Sequence, residues 1–390
     1  MKEEELSSGK KGLKIAIFGG GAVGSILIGL LQKIDAVSLI FCIDDNPGRA
    51  KKFIKDWTKV ILIEIDKTDE NLYQKLVNAL QGCFLVINAA SSEINDMTMN
   101  VSLEIGAYYF DFASLRNDVP EQKSWHESFI KREIVGWINM GVGPGLTNLI
   151  AAKLIEGLTD CVIRIWTAEE TDSKKLKVLW RRELLVDEMT SEIPCNGFSY
   201  EPFSSPEDYT FPPPIGKRQC VNINQNERLT LGRNPNVKEV YGKSGGSDIK
   251  KLKSLYPRAL KSQKKKRIGK FINSLPQTPT PKEIESDIKR GILRNGWIAI
   301  AIEVDGLDPK TEKRKFRKAT WMGFSLREVP CGTTHISYNT AIVAFCAILE
   351  LINTEKLEPG VWAPDQFPKD TREKILSCVE EKTHHIKYKM

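Results

Sequence analysis

Gly19, Gly20, Gly21, Ala22, Val23 and Gly24 form a Gly-x-Gly-x-x-Gly loop, and an acid, Asp44, stands twenty residues past Gly24. A short apolar run, Ile15-Ala16-Ile17-Phe18, leads into the loop, and an apolar helical pattern leaves it. A second apolar run, Leu39-Ile40-Phe41-Cys42-Ile43, ends at Asp44. Strand, loop, helix, strand and acid in this order are the sequence form of a dinucleotide-binding βαβ unit. Gly19 allows the tight turn, Gly21 lets backbone approach a pyrophosphate, and Gly24 lets the helix pack closely on the sheet. The helix start, Ala22 and Val23 included, offers free amides and a partial positive charge to phosphate. A carboxylate at Asp44 can accept hydrogen bonds from both ribose hydroxyls of an adenosine. It would repel the 2′-phosphate of NADP, so NAD is favoured, while Arg49, Lys51 and Lys52 nearby keep NADP open. The plainer reading of Asp45-Asn46-Pro47-Gly48 is a turn that caps a helix.

Ligands of open α/β sheets sit beyond the carboxyl ends of the strands, so the residues after each apolar run are the next candidates. Asp45 follows Asp44, and Asp66 follows a third run, near where adenine would lie. Asn88, Ala89 and Ala90 follow a fourth and could admit a nicotinamide ribose. Asp111 and Ser114 follow a fifth. A sixth leads to Gly141-Val142-Gly143-Pro144-Gly145-Leu146-Thr147-Asn148. There Gly143, Pro144 and Gly145 end a strand and open a helix, whose first turn could hold a substrate carboxylate through Thr147 and Asn148. Asp111 is the first choice for a proton carrier, ahead of Glu169, Glu170 and Glu183, with capping or salt bridging as the alternative role. His126 and His335 are weaker candidates. Arg181 and Arg182 could clamp a carboxylate bidentately or simply be solvated.

These residues need a scaffold, and the first 140 residues alternate strand and helix signals. Strands are expected over 14–18, 39–43, 60–65, 84–88, 108–112 and 134–139, and helices over 22–33, 47–56, 69–81, 93–106 and 120–132. Near-continuous apolar strands read as buried and parallel, which gives an α/β Rossmann fold, a doubly wound parallel sheet. After Gly143-Pro144-Gly145 the texture changes. Strand-like pieces at 161–168, 176–180, 219–224, 297–304 and 318–324 are broken by Pro-rich loops, which suggests an α+β substrate domain with a mixed or antiparallel sheet. The expected domains are residues 12–148, 149–334 with a basic loop-and-helix insertion over 242–282, and 335–390. The last comprises a buried helix at 337–352, a turn at Pro359-Gly360-Val361-Trp362-Ala363-Pro364, and a charged tail, packing back on the first domain.

With 390 residues, 41% of them hydrophobic and 27% charged, the chain suits two domains. The most apolar stretch, Ala341 to Leu349, is too short for a membrane span. The charged start, Met1 to Lys14, lacks a signal-peptide core, so a cytoplasmic protein without membrane attachment is expected. Eight cysteines without C-x-x-C spacing and only four histidines make a metal site improbable. The net charge of +7 concentrates between Lys243 and Lys270. That run reads as a solvated surface, and no nucleic-acid fold signature accompanies it.

Taken together, the glycine loop, the strand ending at Asp44, Val86-Ile87-Asn88-Ala89-Ala90, Tyr109-Phe110-Asp111 and Pro144-Gly145-Leu146-Thr147-Asn148 resemble the saccharopine dehydrogenase-like oxidoreductases. Tyr338-Asn339-Thr340-Ala341-Ile342 and the Pro359–Pro364 segment are similar to that family's closing helix and turn. Lys177-Val178-Leu179-Trp180 is similar to a stretch near the saccharopine reductase pocket. That stretch would continue Ser-Pro-Arg, where this chain has Arg181-Arg182-Glu183. The resemblance implies two domains, with a last helix returning to the first. It implies hydride transfer between a nicotinamide and a carbon bonded to nitrogen in an amino acid, and a homodimer through the second domain. By position, Gly19, Gly21, Gly24, Asp44 and Asn88 would hold cofactor. A carboxynorspermidine- or homospermidine-type polyamine enzyme is the nearest alternative. A dinucleotide-sensing binding protein without turnover is the alternative from another class.

Overall fold

The computed structural model describes residues 10–115, 120–173, 177, 179, 181–195 and 198–390. They divide into two units, one running to Leu149 and joined by Thr340–Val379, the other comprising Ile150–Asn339 and Glu380–Met390.

In the first unit, strands and helices alternate as β1 (Leu13–Phe18), α1 (Ala22–Leu31), β2 (Val37–Asp44), α2 (Pro47–Phe53), β3 (Val60–Glu64) and α3 (Leu72–Ala79). Then come β4 (Leu85–Asn88), α4 (Asn95–Ile105), β5 (Tyr108–Asp111), α5 (His126–Lys131), β6 (Val135–Trp137) and the start of α6 (Leu146–Ile155). All pair in parallel, in the order β6-β5-β4-β1-β2-β3. Ile15, Ala16, Ile17, Leu85, Val86 and Ile87 are fully buried, as a strand covered on both faces requires. Phe18, Val86 and Leu76 form the core of one face; Tyr109, Phe129 and Ile138 form that of the other. Two helix ends follow from local sequence chemistry. The Asn46 side chain accepts the Arg49 amide at 3.0 Å to cap α2, and Gly106 closes α4 with φ at +69°. Chain order reverses between β1 and β4, so the turns after these two strands flank a crevice.

The second unit has a seven-stranded mixed sheet. Its central strand is β7 (Thr159–Thr171), followed by α7 (Arg182–Thr190), a small hairpin of β8 (Ile193–Cys195) and β9 (Phe198–Tyr200), β10 (Glu207–Thr210), β11 (Lys217–Asn222) and α8 (Glu227–Leu231). Then come β12 (Val237–Gly245), α9 (Ser247–Lys264), α10 (Ile268–Ser274), α11 (Pro281–Lys289), β13 (Gly296–Asp308) and β14 (Lys313–Met322). The long α12 (His335–Asn353) enters the first unit. There β15 (Gly360–Trp362) pairs in parallel with β6, before α13 (Lys369–Lys382) and β16 (Lys387–Lys389). The second sheet runs β10-β11-β12-β7-β13-β14-β16, with only β12 and β7 parallel. On one face Leu185, Val186, Ile249, Leu252 and Phe271 from α7, α9 and α10 cover Val221 and Ile223. On the other, Trp166 stacks on Tyr209 at 4.5 Å beside Ala168, Ala299 and Ala301.

Several boundaries differ from the sequence reading. Residues 242–245, expected as the start of an inserted loop, belong to β12 beside the central strand, and three helices fill 247–289. The basic residues Lys253, Arg258, Lys261, Lys264 and Lys270 are exposed, while Ile249, Leu252 and Ala259 of the same segment are buried, so α9 is amphipathic. The segment read as a turn at 359–364 contributes β15. The strand expected over 176–180 falls partly outside the described residues, as do Val178 and Trp180 of the Lys177–Trp180 stretch. α12 extends the buried helix expected over 337–352 by two residues at its start and one at its end. It is the one helix among the described residues long and apolar enough to cross a membrane, and 78% of its apolar window is buried inside the protein.

Candidate functional site

The crevice between the turns after β1 and β4 is built from backbone. Gly19 sits at φ +96°, and a Cβ there would lie 2.9 Å from the Ala89 carbonyl oxygen. The Ala89 amide in turn donates to Phe18 O at 2.9 Å, so the two turns run against each other without side chains between them. A Cβ on Gly24 would lie 2.0 Å from the Gly19 carbonyl oxygen, which is why α1 can start so close to the loop. Around Gly21 the situation is reversed: a Cβ would meet nothing within 4 Å. Gly21 is the N-cap of α1, supplies no side-chain cap, and no acid stands in the first turn. The first amides of a ten-residue helix are thus left for an external acceptor, beside space that a phosphate could fill.

Asp44 is fixed at the lip of this loop. One carboxylate oxygen accepts the Gly20 amide and the other the Asn46 amide, each at 2.7 Å. Two backbone donors set the orientation of the carboxylate and leave it lone pairs for hydroxyl donors. Asp45 instead forms an exposed ion pair with Lys67. Asp66 caps its own turn by accepting from the Thr68 amide and hydroxyl at 2.8 and 2.7 Å, which holds its carboxyl below the usual range. Asn88 is buried. Its amide group donates to Ser91 O and Asn95 Oδ1, and its carbonyl accepts the Ala90 amide, so it shapes the β4 turn and leaves Ala89 and Ala90 as the crevice wall.

Asp111 ends β5 inside the first unit, with 1% exposure. Its oxygens accept the Asn139 amide at 2.8 Å and Gln122 Nε2 at 2.9 Å, and Ser114 Oγ lies 2.9 Å from both Gln122 Oε1 and Asn139 Oδ1. Burial pushes the carboxyl up to about 7. The two hydrogen bonds oppose that rise, and the charge of Glu121 adds to it. Asp111 therefore titrates near neutrality inside a closed network rather than facing a ligand.

The Gly141–Asn148 turn is also inward-looking. Its Gly143–Pro144 bond is cis, and Gly141 N donates to Pro144 O at 2.7 Å. Gly145 has φ +128°, where a Cβ would fall 2.1 Å from Gly141 O. Thr147 and Asn148, expected to meet a substrate carboxylate, are buried. Asn148 accepts the Gly145 amide at 3.1 Å and donates to Asp365 Oδ1 at 3.1 Å. In the second unit, Arg181 and Arg182 both turn to Glu183, at 3.0 and 3.4 Å, and Arg182 also reaches Asn273. Neither histidine candidate is exposed for proton transfer. The His126 ring nitrogen Nδ1 accepts the Val361 amide at 3.0 Å, and burial drives His335 down to about 3.

A polar row along β7 was only partly anticipated. Thr167 Oγ1 meets Ser244 Oγ at 2.6 Å, and Thr171 Oγ1 donates to Asp248 Oδ1 at 2.6 Å. Glu169 lies on the same face between them, since strand side chains alternate. Burial, then the charges of Glu188 and Asp248, push its carboxyl up to about 8. Glu170 points the other way and pairs with Arg218. The signal for this row was the alternation of Thr167, Glu169, Thr171 and Ser173. Its partner Asp248 lies too far along the chain to be found by spacing.

This fold and this loop define a class: a two-unit protein whose first unit carries a nicotinamide-dinucleotide-binding domain. Residues 15–131 match the saccharopine dehydrogenase NADP binding domain family, and the whole chain has the saccharopine dehydrogenase fold. Apo saccharopine dehydrogenase (L-Glu forming) from Saccharomyces cerevisiae superposes with a TM-score of 0.68 at 12% identity, over 97% of this chain and 100% of that one. The homospermidine synthase of Legionella pneumophila, solved in complex with NAD, gives 0.63 at 15% identity, over 98% of this chain and 93% of that one. No curated protein matches the sequence.

Proposed function

We propose that this chain is a nicotinamide-dependent oxidoreductase that transfers a hydride between the cofactor and a carbon bonded to nitrogen in an amino acid. The observation that carries the reading is the glycine loop. Its first and third glycines are demanded by backbone contacts, whereas Gly21 faces open space beside uncapped helix amides. Structure alone would not need a glycine there; a pyrophosphate would. A bound nicotinamide would supply the hydride acceptor or donor. The chain's part is to hold the diphosphate on the α1 amides, the ribose on Asp44, and the remainder against Ala89 and Ala90.

NAD is the favoured form. The Asp44 carboxylate, pinned by Gly20 and Asn46, stands where a 2′-phosphate would bring like charge. Asp44→Ala is expected to weaken NADH binding about tenfold, the order expected for a lost charge-assisted hydrogen bond, while leaving NADPH affinity almost unchanged. Fluorescence titration of both reduced cofactors measures this, and equal losses for the two would remove Asp44 from the ribose site. Assembly as a homodimer in the cytoplasm belongs to the same reading, and light scattering tests the assembly. The reaction itself is tested by following cofactor reduction with lysine, saccharopine and opine-type amino acids supplied one at a time, in parallel with NAD and NADP. Absence of turnover with all of them would turn the reading toward a sensing protein.

A further inference from the structure

Two of the eight cysteines meet across a pair of helices in the first unit. The Cys378 thiol, on α13, donates to Cys346 Sγ, on α12, at 2.7 Å. One turn away, Lys374 Nζ pairs with Glu350 Oε1 at 3.1 Å. Glu350 follows Cys346 by four residues and Lys374 precedes Cys378 by four, so both contacts belong to one antiparallel register of α12 on α13. The two sulfurs are thus brought together by the packing of two helices, not by a single side-chain rotamer. Ala344 and Ala347 beside Cys346, and Ile375, Leu376 and Val379 beside Cys378, are all buried, which holds that register in place.

The two cysteines differ in access. Cys346 is 1% exposed, whereas Cys378 is half-buried and can be reached from outside. Other cysteines are set up differently. Burial pushes the thiols of Cys42, Cys83 and Cys220 up to about 12 and that of Cys161 up to about 11, which keeps them protonated and inert. Cys161 and Cys220 donate to the carbonyls of Thr159 and Arg218.

We propose that Cys346 and Cys378 form a reversible disulfide that staples α13 to α12, closed by a peroxide and opened by a thiol reductant. The sulfur of Cys378 attacks one peroxide oxygen and the O–O bond breaks. The departing hydroxide takes the thiol proton and leaves as water, so Cys378 becomes a sulfenic acid. The sulfur of Cys346 then attacks that of Cys378, the S–O bond breaks, and a second water leaves with the Cys346 proton. Two thiols lose two electrons and the peroxide gains them. The bond closes a loop between residues 32 positions apart, with β15 inside it. Such a loop restricts the unfolded chain, so the closed form resists unfolding more than the open one. The site stands independently of the oxidoreductase reading.

The test treats the folded full chain with hydrogen peroxide, blocks remaining thiols with iodoacetamide, and maps the peptides by mass spectrometry. Cys331→Ser serves as the background, which removes an exposed thiol that could join two chains. The expected product is one peptide pair joining Cys346 to Cys378, lighter by two hydrogen atoms and separated again by dithiothreitol. The oxidised protein is expected to melt about 5 °C above the reduced one. Cys378→Ser should lose both the peptide pair and the gain, and Cys346→Ala replaces it if that variant does not fold. Absence of the pair from the folded protein, cross-linking mainly between other cysteines, or an oxidised protein that melts no higher than the reduced one overturns the proposal.

Discussion

Gly21→Ala and Gly24→Ala are expected to lower NADH affinity about 100-fold, roughly 3 kcal/mol, but only the second is expected to weaken the fold. A methyl on Gly24 must find space where the Gly19 carbonyl oxygen lies 2.0 Å away. Either α1 retreats from the loop or the Gly19 peptide turns, and Gly19 has little freedom to turn because it already abuts the Ala89 backbone. Overpacking of this kind costs about 1–3 kcal/mol, and the same shift displaces the helix amides from a diphosphate. Gly21 differs in kind. Its φ of −77° suits any L-residue and its surroundings are open, so alanine is harmless until a ligand arrives. Urea midpoints and NADH fluorescence, measured on both variants, separate the two roles. A Gly21→Ala protein that binds NADH as well as the wild type would show that no diphosphate comes to this loop.

The second large effect concerns Asp111. Its folded carboxyl titrates at about 7, above the ordinary 3.8, because burial penalises the charge. Below about pH 4 both the folded and unfolded chains hold this proton. As pH rises toward 7 the unfolded chain releases it first, so unfolding is progressively favoured. The stability this proton confers is therefore fully present at low pH and lost as pH rises through 7, by up to about 4 kcal/mol. Glu169, at about 8, acts with the same sign. Asp111→Asn removes one of these slopes. Relative to the wild type, the variant should gain stability between pH 4 and pH 8 by a few kcal/mol, seen as converging or crossing urea midpoints. A difference between the two proteins that stays constant across that range would show that Asp111 is not held protonated by the fold.

What could be read from the sequence follows from how local each requirement is. The glycine loop and Asp44 were legible because turn, close approach and helix packing constrain neighbours within thirty residues. The strands of the first sheet were legible because burial on both faces makes them apolar throughout. β12 was hidden because Val237–Gly245 mixes lysines, a glutamate and glycines, and because the basic stretch that begins there drew the eye to its surface side. β15 was read as a turn because three residues flanked by prolines carry no strand pattern, and only pairing with β6 makes them one. The inward orientation of Thr147 and Asn148 depends on Asp365, and that of Asp111 on Gln122 and Asn139; no spacing rule connects them. The carboxylates on β7 and α9 likewise meet only through the fold.

The positions of β15 and β16 carry a consequence for how the chain is made. Each supplies the outermost strand of a different sheet, β15 beside β6 and β16 beside β14. Until residues 360–389 have been synthesised, one flank of each sheet offers unpaired backbone to any passing strand. Nascent protein is thus at its stickiest late in translation, and shortening it from the carboxyl side should trade solubility for aggregation well before any ligand-binding residue is touched.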